Sequence, residues 1–269
     1  MQIEANGITI HYEVTGSGDP LVFLHGSYEN SQVWYNQIPE FSQRYRVLSY
    51  DMRGFGAFVP PEGDCSERVL AQDLYLLLRA LEIERATLLC HSLGCEVGIR
   101  LTLIHPTFVK ALILAHPVGV AQPRSRREVD QMKQRRLEEA DRLEKEGWGK
   151  IPDERMAALF SPEWIEKNRW LVERYRDIQR KNAPQGYARF LRGTFIESPA
   201  SPTDLKRIVA PVMIIVGEND PLSDLEAGRA LQSKIPQTQV KLLPTGHLSH
   251  IEDPERFNDA VGRFLTKLG

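Results

Sequence analysis

The chain has 269 residues, 42% of them hydrophobic and 26% charged, and its 36 acidic residues against 34 Lys and Arg give a formal net charge of -2. That composition belongs to a globular protein able to bury a large core, and the near-neutral balance provides no overall field for nucleic acid or anionic lipid. The expected partner is a small molecule, with neither nucleic acid nor membrane.

Asn6-Gly7 lies between the apolar-rich runs Met1 to Ala5 and Ile8 to Thr15, and Asn-Gly suits a turn with two positive φ angles, so the chain is expected to open with a hairpin. Leu21 to Leu24 reads as a buried strand, Val33 to Phe41 as a short helix, Arg46 to Tyr50 as a strand and Ser66 to Leu81 as a longer helix. Ala86 to Cys90 and Val109 to Ala115 are apolar runs flanking a helix over Leu93 to His105. Continuous apolar runs of this length fit strands covered on both faces by crossover helices. The rhythm resumes with strand Val212 to Val216, helix Leu225 to Lys234, strand Val240 to Leu243 and helix Pro254 to Leu268, where Asp253 caps and proline occupies the first position.

Between the halves, residues 118–205 are charged and helix-favouring, which predicts a helical insertion into a core made of 1–117 and 206–269. Val129, Met132, Leu137, Ala140 and Leu143 recur near helical spacing and mark one apolar seam. Trp148, Phe160, Trp164, Trp170, Tyr187, Phe190 and Phe195 add aromatic weight, either as packing between insertion and sheet or as pocket wall. Cys65, Cys90 and Cys95 follow no metal-ligand spacing and suit free thiols in a reducing compartment; Met1-Gln2-Ile3-Glu4 lacks the features of a signal peptide, so the expected address is the cytoplasm.

The chemistry centres on Leu89-Cys90-His91-Ser92-Leu93-Gly94, where a serine stands between a buried strand and a helix. So sharp a turn exposes Oγ, aims the free N–H groups of the helix start at a substrate, and requires small residues two before and two after the serine. Gly94 meets that requirement, and Cys90 departs from it. A serine needs a base, and His247, in the loop after the last strand, is the first candidate, with His250 its nearest competitor. Asp220, beyond strand Val212 to Val216, is the carboxylate to orient it, ahead of Glu218 and Asp224. The order Ser92, Asp220, His247 gives a triad. The N–H groups of Ser27 and Leu93 form the candidate oxyanion hole. Candidate pocket walls are His25, Gly26, Tyr28 and His91, with Trp148 and Trp164 from the insertion. His91 otherwise reads, like His11, His105 and His116, as structural.

Taken together, His25-Gly26, the Asp51-Met52-Arg53-Gly54-Phe55-Gly56 turn, the Ser92 elbow, Gly217-Glu218-Asn219-Asp220 and Gly246-His247 through Asp253-Pro254 resemble the α/β-hydrolase superfamily along essentially the whole chain. The resemblance implies a mostly parallel sheet with helices on both faces and a helical cap, and the segment Gly246 to Glu252 resembles the 3-oxoadipate enol-lactonases and their esterase relatives. The activity implied is hydrolysis of a carboxylic ester or lactone through an acyl-enzyme on Ser92, with water as co-substrate and no metal or organic cofactor. C–C bond hydrolases and cofactor-free perhydrolases use the same triad and remain alternatives, as does a ligand-binding receptor. A serine nucleophile sets the chain apart from the haloalkane dehalogenases and epoxide hydrolases that use aspartate.

Overall fold

The computed structural model describes residues 1–120, 125–194 and 201–268. In chain order the elements are β1 (Gln2–Ala5), β2 (Ile8–Thr15), β3 (Pro20–Leu24), α1 (Ile38–Phe41), β4 (Arg46–Tyr50), α2 (Glu67–Ala80), β5 (Ala86–His91), α3 (Leu93–Ile104) and β6 (Val109–Ala115). There follow α4 (Arg126–Glu146), α5 (Ile151–Leu159), α6 (Pro162–Lys167), α7 (Arg169–Arg180), α8 (Pro184–Gly193) and α9 (Pro202–Leu205). The chain then runs through β7 (Val212–Gly217), α10 (Leu225–Gln232), β8 (Thr238–Leu243), α11 (Ser249–Glu252) and α12 (Pro254–Thr266).

The strands make one eight-stranded sheet in the order β1-β2-β4-β3-β5-β6-β7-β8, parallel from β4 to β8 and antiparallel where β2 meets β1 and β4. Asn6 and Gly7 both have positive φ, 51° and 74°, as the opening hairpin requires. Side-chain alternation divides the core. Val22, Leu24, Leu88, Leu112 and Ile214 face α2, α3 and α10, while Leu21, Phe23, Leu89, Ile113 and Ile215 face Trp34, Phe41 and α12. Because both faces are covered, the inner strands carry no polar alternation.

One helix differs from the sequence expectation. Val33 to Phe41 is a 3-10 turn over Ser31–Trp34 followed by the separate α1. Pro39 has no N–H to give Tyr35 and its ring would strike that carbonyl, so the helix restarts with the proline in its first turn.

Between β6 and β7, which are neighbours in the sheet, the described residues contain helices α4 to α9 and no strand. Ser125 and Glu128 close a reciprocal cap at the start of α4, and Ala140 and Leu143 bury the seam of that helix, which packs on α8. Phe195 lies outside the described residues, and Trp170 is exposed. The Asp51 to Gly56 turn docks this helical segment. A Cβ on Gly54 would stand 2.5 Å from Phe190 Cβ, and Gly56 exchanges hydrogen bonds with Asn182 Oδ1 and the N–H of Ala183. Among the described residues no helix is long and apolar enough to cross a membrane.

Candidate active site

The carboxyl ends of β3, β5, β6, β7 and β8 point to one edge of the sheet, where loops of a parallel sheet gather ligand-binding groups. Ser92 sits at the β5–α3 junction with φ 48° and ψ -110°, an unfavourable conformation for a residue with a side chain. The Ser92 N–H donates to Ala115 O, fixing the elbow to β6. Gly94 is required by space: a Cβ there would lie 2.5 Å from Leu24 O. Cys90 takes the position where a glycine is expected, and the structure supplies the compensation. A Cβ on Gly98, one turn into α3, would stand 2.6 Å from Cys90 Sγ, so the helix gives up the side chain that the strand retains. Cys65, Cys90 and Cys95 are free and buried, and burial pushes each thiol up, Cys65 to about 11.

His247 follows β8 in a loop clamped by one carboxylate: Glu252 accepts from Gly246 N–H at 2.8 Å and Leu248 N–H at 2.9 Å. His247 Nδ1 donates to Asp220 Oδ2 at 2.9 Å, which fixes the tautomer and leaves Nε2 buried with no hydrogen-bond partner among the described residues. Burial, the main cause, and the positive field of His91 lower the His247 pKa to about 4, against the pull of Asp220, so the imidazole is neutral at neutral pH. Asp220 also receives the N–H of Leu222 on Oδ1 and a second imidazole, His116 Nδ1, on Oδ2 at 2.8 Å. Burial alone would raise its carboxyl pKa, but the two imidazole hydrogen bonds hold it well below the usual carboxylate range. Close packing brings these loops together, since a Cβ on Gly217 would lie 2.4 Å from the carbonyl oxygens of Thr245 and Gly246.

A second buried carboxylate–imidazole pair lies behind this one. His91 Nδ1 donates to Glu29 Oε2 at 3.0 Å and His91 Nε2 donates to His247 O at 2.9 Å. Glu29 also accepts Gly26 N–H at 2.6 Å and Tyr175 OH at 3.1 Å. Among the described residues neither ring nitrogen of His250 has a hydrogen-bond partner, and its ring packs at a tilt between those of His91 and Trp34. Among the described residues, ligand-type atoms cluster in two places, Glu29/His91/His250 and His116/Asp220/His247. In each the carboxylate is already hydrogen-bonded to imidazole Nδ1 atoms, Glu29 to His91 and Asp220 to His116 and His247, while among the described residues both ring nitrogens of His250 and Nε2 of His247 have no hydrogen bond.

A cavity of about 500 Å³ opens onto Ser92 and is lined by Ser27, Tyr28, Leu93, Tyr187 and Phe190 among others. Ser27 and Leu93 thus flank the serine, and the Leu93 N–H, at the first position of α3, has no intrahelical acceptor. Tyr28 walls the cavity with φ 66° and donates its hydroxyl to Glu139 of α4. Four of the expected pocket walls stand elsewhere. His25 is fully buried, donating from Nδ1 to Gly26 O and accepting Met52 N–H on Nε2, so it ties β3 to β4 beneath the loop. His91 is turned inward to Glu29, because the strand directs consecutive side chains to opposite faces. Trp148 stacks behind Tyr187 and gives its indole N–H to Asn182 O; Trp164 stacks on Phe160, whose ring abuts Gly246. Gly26 is also absent from the lining; a Cβ there would meet His91 Nδ1, Glu29 Oε2 and Ser92 Cβ within 3.1 Å, so it is a close-approach position.

Residues 19–254 match the model of the alpha/beta hydrolase fold family. The chain is 28% identical over 270 residues to 3-oxoadipate enol-lactonase 2 of Acinetobacter baylyi, covering 98% of this chain and 96% of the relative. It is likewise 28% identical over 280 residues to a 2-hydroxymuconate semialdehyde hydrolase of a Pseudomonas species, covering 99% and 93%. A thermophilic esterase from Thermogutta terrifontis superposes with a TM-score of 0.89 at 28% identity, covering 100% of this chain and 98% of the esterase.

Proposed function

The chain belongs to the α/β-hydrolase fold family, and on that premise we propose that it is a serine hydrolase that cleaves a carboxylic ester or lactone through an acyl-enzyme on Ser92. The observation that carries this reading is the state of His247: Nδ1 held by an ionised Asp220 and Nε2 a neutral, buried acceptor with no partner among the described residues. Ser92 Oγ attacks the carbonyl carbon as its proton passes to His247 Nε2. The oxyanion takes the N–H groups of Ser27 and Leu93, and its collapse expels the alkoxide, which leaves with the proton from His247. Water, deprotonated by the same nitrogen, then frees Ser92. Residues 118–205 act as a cap over the substrate, and the three buried thiols suit the cytoplasm. The similarity to a 2-hydroxymuconate semialdehyde hydrolase makes C–C bond hydrolysis the alternative.

A fluorophosphonate probe tests the nucleophile: wild type is expected to be labelled and Ser92→Ala not, whereas equal labelling removes Ser92 from the role. Turnover of a p-nitrophenyl ester, a lactone and a vinylogous diketone in parallel separates the two readings, and a hundredfold preference in kcat/KM, about 2.7 kcal/mol, decides between them.

A further inference from the structure

The proposed reaction uses Ser92, His247 and Asp220, and it leaves the buried pair of Glu29 and His91 without a chemical part. Neither residue lines the cavity at Ser92. Burying two opposite charges costs desolvation energy, and well-packed apolar side chains often stabilise a core as well, so stability alone is a weak reason for the pair. Its contacts give a stronger one.

His91 immediately precedes Ser92 and is registered against Ala115 of β6, so its ring is an arm projecting from a central strand. Nε2 donates to His247 O at 2.9 Å, the main chain of the proposed base. At the other end of the ring, Nδ1 donates to Glu29 Oε2 at 3.0 Å, and the same oxygen accepts Gly26 N–H at 2.6 Å. Gly26 adjoins Ser27, whose N–H is a proposed oxyanion donor. A Cβ on Gly26 would stand 2.8 Å from His91 Nδ1, 3.0 Å from Glu29 Oε2 and 3.1 Å from Ser92 Cβ, so this turn lies directly against the pair and the nucleophile. Tyr175 of α7 donates its hydroxyl to Glu29 Oε1 at 3.1 Å and restrains the carboxylate from rotating. One ring therefore spans two loops, the turn after β3 and the loop after β8, and both must keep their distance from Ser92 during the reaction.

We propose that Glu29 and His91 are positioning residues for hydrolysis at Ser92: as one hydrogen-bonded unit they hold the Gly26–Ser27 turn and the His247 main chain in place about the nucleophile. This rests on the reading of Ser92 and His247 as nucleophile and base. Both acceptors, His247 O and the Glu29 carboxylate, require a proton on the ring nitrogen that meets them, so a ring that holds both loops is positively charged. Its centroid lies 5.1 Å from that of His247. The other ionisable groups around His247 are Asp220 after β7 and His116 after β6, with Glu29 and His250 beyond His91 and Glu252 of α11 clamping the loop. Removing the His91 charge leaves the pull of Asp220 less opposed, so the His247 pKa rises from about 4.

Three variants test the unit with a p-nitrophenyl ester. His91→Gln keeps an amide donor within reach of His247 O, His91→Asn is too short to do so, and both remove the charge. In Glu29→Gln the ring loses the partner that keeps it doubly protonated, and one of its two hydrogen bonds goes. His91→Asn and Glu29→Gln are expected to lower kcat by roughly tenfold or more, as misplacement by a fraction of an ångström allows, and His91→Gln to recover most of that loss. In all three the acid limb of kcat/KM is expected to move to higher pH by about one unit. Equal kcat in folded His91→Gln and His91→Asn overturns the positioning role. An acid limb unmoved in His91→Gln also overturns it, because a neutral ring cannot donate to both loops. A fall in urea stability with kcat and acid limb unchanged marks the pair as structural only, with the same consequence. Turnover undiminished in Ser92→Ala or His247→Ala instead removes the nucleophile or the base, a failure of the underlying reading that the Glu29 and His91 variants do not produce.

Discussion

Asp220 Oδ2 accepts hydrogen bonds from two imidazoles at once, His247 Nδ1 at 2.9 Å and His116 Nδ1 at 2.8 Å. The far nitrogen of His116 meets Ser249 Oγ at 2.7 Å, so the serine hydroxyl can donate to it and His116 stays a neutral Nδ1–H tautomer, in keeping with the lowered pKa that burial imposes. The carboxylate is thereby locked in place from the β6 side, and His247 is oriented by a group that cannot itself rotate.

His116→Phe is expected to leave a buried carboxylate one donor short and Ser249 unpaired, costing about 1–3 kcal/mol in urea denaturation together with a fall in kcat. His116→Asn keeps a donor near the Nδ1 position and is expected to recover much of the kcat. If Phe and Asn behave alike, the hydrogen bond to Asp220 has no orienting role.

The proposed base, His247, has its own pH signature. A free imidazole titrates near 6.5, and burial with the nearby charge of His91 brings His247 to about 4. Because only the neutral ring can accept the serine proton, kcat/KM is expected to rise with pH through about 4 and to be level by neutrality. An acid limb centred near 6.5 would show that His247 is solvated or that another group limits the rate.

His91 and Glu29 form the second buried pair, and their partners fix the protonation state. His247 O can only accept, and Glu29 already takes donors from Gly26 and Tyr175, so His91 carries protons on both nitrogens. Burial opposes the charge of each, yet mutual attraction wins, raising the His91 pKa and holding that of Glu29 well below the usual range. The signs define a window. The contribution from His91, whose pKa is raised, is complete below the unfolded value of 6.5 and lost as pH rises through the folded one. The contribution from Glu29 is complete above the unfolded carboxylate range and lost as pH falls through its folded value. Nitrogen-15 NMR at neutral pH is expected to show both His91 nitrogens protonated, and Glu29→Gln to destabilise the fold by about 3–5 kcal/mol. A His91 ring with one bare nitrogen would refute the pairing.

Placement that depends on chain order and element ends was legible in the sequence. Ser92, Asp220 and His247 each follow a strand of the same parallel sheet, so the apolar runs alone carry them to one edge. What could not be read depends on side-chain direction and on contacts between distant segments. Glu29 and His91 are 62 residues apart, and Asn182, which accepts from Asn30 and Gly56 and donates to Tyr28 O, has no motif around it. Trp148 and Trp164 were plausible pocket walls by size, but each has another aromatic ring stacked in front of it. Gly98 was concealed by the expectation that the elbow glycine belongs on the strand.

That exchange of Cys90 for Gly98 permits a quantitative test. The two positions share one space: Gly98→Ala would place a methyl carbon 2.6 Å from Cys90 Sγ in a fully buried site, a conflict of the overpacking kind that costs about 1–3 kcal/mol, partly offset by the higher helix propensity of alanine. Cys90→Gly alone would open a void in β5 and loosen a central strand. The double variant Cys90→Gly/Gly98→Ala relieves the conflict and fills the void from the helix side. Its destabilisation is therefore expected to be smaller than the sum of the two single changes by about 1 kcal/mol or more, measured as a double-mutant cycle in urea. Simple additivity would mean that Gly98 is small for a reason other than Cys90, and that the elbow tolerates its cysteine through some shift of the backbone at Ser92.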